Sequence, residues 1–301
     1  MRQQNKSTRL WQLILLSFAV FGFGCEKNID FKLADEESKL VVEATIENGQ
    51  PPLVFLSTSL NYFSQISPEI LAASVVRGAD VFVSNGSKTQ KLKQYDIPLA
   101  GGYTLSYYSI DSANLSAAFL GELNKSYSLK IVSQGKEYAA TTTIPNITKQ
   151  IDSLWYKPGP PQLDTNKVIV TGRFTDPPGF GDYVRYFTKR NGGPFLPGLN
   201  SVFDDLFVDG TTYELQVQAG VDRNQKIKED DMFFNKGDTV TFKLSNIDKT
   251  TYNFWRTMEF SYQSIGNPFS TPVKVLGNIS NNALGYFGGY ASQYRTLVIK
   301  K

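Results

Sequence analysis

Short runs of β-forming residues, separated by turn-forming residues, follow one another along the chain from position 40 almost to its end. Runs rich in Val, Ile, Tyr, Phe and Thr are typical of strands, and Gly, Asn, Asp and Pro between them are typical of turns. The predicted strands are residues 40–46, 53–59, 79–83, 103–108, 127–132, 137–143, 167–174, 183–188, 212–218, 239–244, 273–276, 284–287 and 295–299. Such a series of short strands predicts an all-β fold.

One segment, at residues 249–264, has a helical period instead. Asp248 precedes it as the predicted N-cap. The side chains that recur on one face are Tyr252, Trp255, Met258 or Glu259, and Tyr262. We interpret this aromatic stripe as a face that packs on a sheet, with a ligand platform as the alternative.

The order of the strands predicts two domains. About seven strands within residues 38–146 fit an immunoglobulin-like or transthyretin-like β-sandwich. Pro145 marks the boundary, because proline cannot continue a central strand ladder. Residues 147–301 form the second predicted domain, which is β-rich and contains the helix near 249–264.

The first 24 residues have the composition of a secretory signal peptide. A basic opening is followed by an apolar stretch at 10–23, which is too short for a comfortable membrane span. Cys25, the only cysteine, comes next, where a bacterial lipoprotein carries its diacylated thiol. We therefore predict a lipoprotein signal peptide at 1–24 and lipidation of Cys25. A plain signal peptide with an incidental cysteine, or a buried free cysteine, is the alternative.

Residues 25–37 are charged and have no sustained hydrophobic period. This composition predicts a flexible tether that lets the folded body stand just off the membrane. The acidic residues Asp35, Glu36 and Glu37 are consistent with signals that send such lipoproteins to the cell surface. Surface exposure is therefore a hypothesis.

Charge and composition exclude several classes of function. Arg2, Lys6 and Arg9 account for the whole formal net charge of +3, because residues 1–24 contain no acidic residue. The rest of the chain is formally neutral, so we expect no nucleic-acid partner. The absence of histidine and the single cysteine exclude Ser–His and Cys–His catalysis and a Cys/His metal cluster. We predict no cofactor.

Two acidic clusters remain as candidates for chemistry. One contains Asp204, Asp205 and Asp209, and the other is residues 229–231. Either could supply oxygen ligands to calcium or a carboxylate pair for glycoside hydrolysis, but neither has the spacing of an EF-hand loop. We interpret both as solvated turns and predict no metal site and no catalytic residue.

Aromatic residues in predicted loops are candidates for a contact surface. They are Tyr62, Phe63, Phe180 and Phe195, the last of which lies in a breaker-rich segment, 191–198, that we predict to be a surface loop. Exposed aromatic residues at loop tips commonly bind sugars, peptides or partner proteins. The alternative is that each ring folds back onto the sandwich.

Several stretches occur in an order typical of one known family. They are LVVE at 40–43, GY at 102–103, YSL at 127–129, KEYAA at 136–140, KGDTV at 236–240, NPFSTP at 267–272, NI at 278–279 and LGYF at 284–287. Through them the chain resembles the Bacteroidota outer-membrane lipoproteins described as domain of unknown function 4249. The resemblance implies a lipid-anchored β-sandwich protein of the outer membrane, often encoded beside a TonB-dependent transporter. It carries over no catalytic or binding residue.

Three functions stay open. The favoured one, which rests mainly on the resemblance, is a binding or accessory lipoprotein that serves a TonB-dependent outer-membrane transporter, with an unidentified small-molecule, sugar or peptide ligand. The second is a structural or adhesive surface lipoprotein. The third and least favoured is a hydrolase that uses Asp204, Asp205 or Asp231. We therefore expect a membrane-anchored protein that is not an enzyme.

Overall fold

The computed structural model of the protein describes residues 37–60, 66–99, 101–116, 118–267, 269–271 and 273–301. The predictions for the signal peptide, Cys25 and the tether up to residue 36 lie outside these ranges. Two of the predicted contact residues, Tyr62 and Phe63, also lie outside them. Within the described ranges, Ser38–Lys301 form one compact unit.

The alternation of apolar and polar residues sets which side of each strand is buried. In the strand Lys125–Ser133, the side chains of Tyr127, Leu129 and Ile131 are buried, whereas Ser128 and the other polar residues between them are exposed. Successive side chains of a strand point to opposite faces, so this pattern places one face of the strand in the core.

The described residues form fifteen strands, and the predicted all-β class is confirmed. The strands are β1 (Leu40–Glu47), β2 (Leu53–Thr58), β3 (Asp80–Ser84), β4 (Thr89–Pro98), β5 (Thr104–Ser109), β6 (Lys125–Ser133), β7 (Lys136–Ile144), β8 (Gln150–Pro158), β9 (Lys167–Thr175), β10 (Tyr183–Arg190), β11 (Phe195–Phe203), β12 (Thr212–Val217), β13 (Phe234–Asn235), β14 (Thr239–Ile247) and β15 (Leu284–Val298). The helices are α1 (Pro68–Ser74), α2 (Lys249–Gln263) and a 3-10 turn at Glu229–Met232.

Eleven of these strands form one sheet, in the order β11-β10-β14-β15-β1-β2-β5-β4-β3-β6-β7. Neighbouring strands in it are antiparallel, except that β1 and β15 run parallel. The second sheet is built around β9, which lies between β8 on one side and β12 and β13 on the other. Strands β11 and β12 are therefore edge strands of their respective sheets.

The two larger hydrophobic cores of the described residues both include residues of β15 or next to it. The first core contains buried residues of β1 to β7 together with Phe287 and Ala291 of β15. The second joins the two sheets through residues of β8, β9, β10, β12 and β14. Leu297 of β15 packs against this core, and Ile299, just after β15, is buried within it. The boundary predicted between residues 146 and 147 falls between the two cores, and its assignment as a domain boundary stays a prediction.

The predicted helix is confirmed as α2. The Asp248 carboxylate accepts a hydrogen bond from the amide of Thr251 at 2.7 Å, which satisfies one of the unpaired amides of the first turn. In the predicted stripe, the ring of Tyr252 contacts Tyr183 of β10 at 4.9 Å between centroids, and Trp255 Nε1 donates to the Tyr290 hydroxyl of β15. The aromatic face therefore packs on the large sheet, as predicted.

Three local predictions are wrong. Residues 273–276 are not a strand, and the two strands predicted at the C-terminus are one continuous strand, β15. Gly288 and Gly289 look like a break in the sequence, but they occupy positions where a side chain would collide with neighbouring atoms. The segment predicted as a loop at 191–198 is a turn that leads directly into β11, whose proline is tolerated because the strand lies at an edge.

We predict that Gly289→Ala lowers the free energy of unfolding by about 1–3 kcal/mol. A Cβ at this position would lie 2.4 Å from the carbonyl oxygen of Thr143 in β7, so β7 and β15 would have to separate. Urea unfolding measures the change, with Gly192→Ala as the control because nothing lies within 4 Å of the added atom there. Equal stabilities for the two variants would contradict the close packing of β7 on β15.

Candidate functional site

Between the edge strands β11 and β12, the two sheets leave a cavity of about 610 Å³. Small-molecule sites in proteins typically occupy about 300–1,000 Å³ and have mainly apolar walls. The lining residues are Lys149, Phe174, Val184, Tyr186, Asn200, Val202, Phe203, Asp204, Phe207, Val208, Tyr213, Leu215, Gln216, Val217, Gln218, Phe242, Leu244 and Tyr252. Alternate residues of β10, β12 and β14 recur among them, because alternate side chains of a strand face the same way.

Aromatic rings form a continuous wall along the cavity. Tyr213 contacts Phe174, Phe174 contacts Phe242, and their ring centroids are 5.8 Å apart in both pairs. Phe242 then contacts Tyr186 at 5.7 Å, and Tyr186 contacts Phe203 at 6.0 Å. These separations are those of favourable aromatic pairs, so the wall is held by ring contacts as well as by the strands.

The cavity opens to solvent at β11, β12 and the turn that joins them. Phe203 and Leu215 are 38% and 46% exposed, and Phe207, in the turn that joins the two strands, is 92% exposed. Apolar side chains clustered at the entrance of an apolar cavity are typical of a binding site. A ligand that enters would cover them.

A buried polar network holds β11 in place at one wall. Glu259 of α2 accepts hydrogen bonds from the amide and the hydroxyl of Ser201 and from Arg223 at 2.8 Å. Arg185 of β10 also donates to the Ser201 hydroxyl, and its guanidinium stacks on the ring of Trp255 at 3.3 Å. Charge-assisted hydrogen bonds of this kind fix geometry well, so α2 and β10 both position the strand that lines the cavity.

Lys149, one of the lining residues, belongs to a buried ion pair. The side chain of Lys149 is 1% exposed, and its Nζ lies 3.0 Å from Oδ1 of Asp176, whose side chain is fully buried. The contact lacks hydrogen-bond geometry, and among the described residues neither group makes another hydrogen bond. Burial raises the pKa of Asp176, and the charges of Asp182 and Asp205 act in the same direction, whereas Lys149 lowers it.

Two further carboxylates lie near this pair. Asp176, Asp182 and Asp205 each place an oxygen within 4.8 Å of the others. Asp182 accepts a hydrogen bond from the hydroxyl of Thr148 at 2.6 Å. A divalent cation prefers such oxygen ligands, but the ammonium of Lys149 already supplies a positive charge here. The arrangement is therefore that of an internal ion-pair cluster.

Asp205 and Asp209 accept hydrogen bonds from the loop that precedes β10. Asp205 Oδ2 accepts hydrogen bonds from the amides of Gly181 and Asp182, at 2.7 and 2.9 Å, and Asp209 accepts one from Gly179 at 2.6 Å. Gly179 and Gly181 have φ values of +120° and +123°, which other residues rarely adopt. The loop therefore depends on these acceptors for its shape.

Two tyrosine hydroxyls of the cavity have no hydrogen-bond partner among the described residues. They belong to Tyr186, which is 7% exposed, and to the half-buried Tyr213. Burial raises the pKa of Tyr213 to about 12, with a further contribution from Asp176, and burial also raises the pKa of Tyr186. Both hydroxyls are therefore protonated hydrogen-bond donors at neutral pH.

The structure separates the residues of the two predicted acidic clusters. Residues 229–231 are exposed in the 3-10 turn, so their interpretation as a solvated turn is confirmed. The interpretation of Asp205 as solvated is wrong, because it is buried and binds two amides. Asp204 lines the cavity and accepts a hydrogen bond from the Tyr252 hydroxyl at 2.9 Å.

The predicted contact residues that the structure describes lie at opposite ends of β10. Phe180 is 73% exposed in the loop before this strand. Phe195 pairs across from Lys189 at the far end, where it is half-buried against the ring of Tyr294. The structure does not bring these two rings together, and the contact surface stays a prediction.

Sequence analysis missed the cavity and the ion pair beside it. Tyr186, Tyr213 and Phe242 lie in predicted strands, where a buried aromatic residue that faces an opening has the same pattern as one in a filled core. Lys149 and Asp176 lie just outside strands, and no local pattern indicates that they meet. Only the pairing of β8 with β9 brings them together.

Comparison with known proteins identifies a family without an assigned activity. The family model described as domain of unknown function (DUF4249) matches residues 26–296. No curated protein matches the chain. Neither described helix has the length and apolar composition needed to cross a membrane.

We predict that Lys149→Met lowers the free energy of unfolding at neutral pH by about 3 kcal/mol, because it leaves the Asp176 carboxylate buried without a cation. Adding Asp176→Asn should recover part of this loss, and a double-mutant cycle measures the coupling. Lys91→Met is the control. It breaks an exposed ion pair with Asp80 and should change stability by less than about 1 kcal/mol.

We predict that Lys149→Met lowers the free energy of unfolding less at pH 4 than at pH 7, because a protonated Asp176 does not need the cation. The raised pKa of Asp176 means that the folded state binds its proton more readily than the unfolded state. The stability that protonation contributes is complete below the unfolded pKa of about 3.9 and is lost as the pH rises through the raised folded pKa. A deficit in Lys149→Met that is the same at pH 4 and pH 7 would contradict this account.

Proposed function

Because this chain belongs to the DUF4249 family, whose model covers residues 26–296, we propose that it is a lipid-anchored binding protein of the cell envelope. In this proposal the lipid on Cys25 holds it at the outer membrane, and the cavity between β11 and β12 binds a small molecule. The protein then serves as an accessory of a TonB-dependent outer-membrane transporter.

The cavity is the observation that carries the binding role. It has the volume of a small-molecule site, a wall of aromatic rings and an entrance at which Phe207 is almost fully exposed. A cavity of this size in a core costs packing contacts, and a bound ligand would restore them. Its position between two edge strands lets a ligand enter without breaking a strand ladder.

The carboxylates favour binding over hydrolysis. Asp205 and Asp209 already accept hydrogen bonds from the amides of one loop, and Asp176 faces Lys149. A glycosidase needs one carboxyl group beside the scissile bond and a second that reaches the substrate or its water. Among the described residues, these three carboxylates therefore already make structural contacts.

The sequence of the N-terminal region supports the membrane anchor. A signal-like segment ends at the single Cys25, and the first described strand begins only at Leu40. Two or more acyl chains give stable membrane attachment where one chain gives reversible binding. The association with a transporter rests on the family resemblance.

We predict that the protein binds N-phenyl-1-naphthylamine, an uncharged aromatic probe whose fluorescence increases in apolar surroundings. Val202→Trp places a large ring among the lining residues and should weaken this binding at least about tenfold, because the ring occupies the cavity. Val132→Trp, which alters a half-buried valine of β6 in the other half of the fold, should bind as the unchanged protein does.

A fluorescence titration of the three proteins measures the effect. Circular dichroism of each variant first verifies that it retains the β-rich fold. Probe binding that is absent in the unchanged protein, or equal in both variants, would refute the cavity as a binding site.

We predict that the full chain, purified in mild detergent from its native membrane, brings with it a TonB-dependent β-barrel in stoichiometric amount. Cys25→Ala removes the thiol that the lipid needs, so this variant should leave the membrane fraction and lose the barrel. Mass spectrometry of the two preparations identifies the partners. Recovery of the chain alone in both would favour an adhesive or structural role.

A further inference from the structure

The charged side chains that line the cavity, Lys149 and Asp204, already face neighbouring charged or hydrogen-bonding groups. Lys149 faces Asp176 at 3.0 Å, and Asp204 accepts hydrogen bonds from the Tyr252 hydroxyl and the amide of Leu206. A charged ligand would lose its hydration on entering an apolar cavity and would find no unpaired opposite charge there. The charges of the cavity therefore select against ionised ligands of either sign.

Besides the Lys149 ammonium, which faces the Asp176 carboxylate, two uncharged donors of the described lining residues have no hydrogen-bond partner. The hydroxyls of Tyr186 and Tyr213 have no partner among the described residues, although a buried tyrosine hydroxyl usually finds one. A donor that stays unpaired in an apolar site costs free energy, which an acceptor atom of a ligand would recover. Their rings are separated along the wall by Phe174 and Phe242.

The wall between the two hydroxyls is made only of rings. A flat ring system could stack on Phe174 and Phe242, since aromatic pairs gain free energy beyond simple burial. A flexible chain would have to give up more conformational freedom on binding than a rigid ring system. The shape of the wall therefore favours a rigid, ring-containing molecule.

We propose that the ligand of this cavity is an uncharged, ring-containing apolar molecule whose carbonyl, ether or hydroxyl oxygen accepts a hydrogen bond from Tyr186 or Tyr213. This inference rests on the proposed binding function and specifies the chemical class of the ligand. Phe203, Leu215 and Phe207 close over its exposed side at the entrance.

Four naphthalene derivatives test the proposal, because they share one ring system and differ in one group. They are 2-acetylnaphthalene, 2-ethylnaphthalene, 2-naphthoate and 2-naphthylmethylammonium. Displacement of N-phenyl-1-naphthylamine gives the Kd of each. We expect 2-acetylnaphthalene to bind about fivefold to tenfold more tightly than 2-ethylnaphthalene, which has no acceptor, and both ions to bind more weakly still.

A double variant and a control test whether the two tyrosine hydroxyls donate hydrogen bonds to the ligand. In Tyr186→Phe/Tyr213→Phe, which removes only the two hydroxyls, the preference for 2-acetylnaphthalene over 2-ethylnaphthalene should fall to less than twofold. Tyr138→Phe is the matched control. It alters a buried tyrosine of the first core, so it should leave the preference unchanged.

The outcomes separate the ligand class from the binding function itself. If neither N-phenyl-1-naphthylamine nor any of the four compounds binds, the proposed function fails. If they bind but the acetyl and ethyl compounds have equal affinity, or if either ion binds most tightly, the cavity is a binding site and the proposed ligand class is wrong. A preference that survives in the double variant would overturn the role of the hydroxyls.

Discussion

The parallel pairing of β1 with β15 is the contact on which the rest of the structure depends. It joins the first described strand to the last, so the two halves of the chain share one eleven-stranded sheet. Phe287 and Ala291 of β15 enter the first core, while Tyr286 and Tyr290 support α2. Without β15, the first core would lose a wall and α2 would lose the surface on which it packs.

The position of the cavity is set by where strand pairing ends in each sheet. β11 ends the large sheet and β12 ends the small one, so the space between them has no further strand to fill it. The network of Glu259, Ser201 and Arg185 positions β11, and the ion pair of Lys149 with Asp176 lies beside the lining. A binding site built in this way is rigid at its walls and open at its entrance, which is the arrangement that limits the entropy cost of binding.

Local chemistry explains how much of the fold could be predicted from the sequence. The hairpin of β6 and β7 was predictable because its strands alternate and Gly135 supplies a positive φ between them. The helix α2 was predictable from its period and from the cap at Asp248. The glycines of β15 led to a wrong prediction, because the sequence does not distinguish a glycine that permits close packing from one that makes a turn.

The candidate site could not be predicted from local sequence patterns, for a different reason. Alternation shows which face of β10 is buried, but not whether the opposite sheet fills the space beside Tyr186. The burial of Asp205 depends on a loop more than twenty positions earlier, whose amides it binds. Contacts of this kind are set by the register between distant strands, which single-sequence reasoning does not determine.

A crystal structure of the protein with 2-acetylnaphthalene would show where an uncharged aromatic molecule binds. We expect the naphthalene ring against Phe174 and Phe242, between β11 and β12, with its carbonyl oxygen within hydrogen-bond distance of the hydroxyl of Tyr186 or Tyr213. A cavity that stays empty while the compound occupies another surface would contradict this expectation.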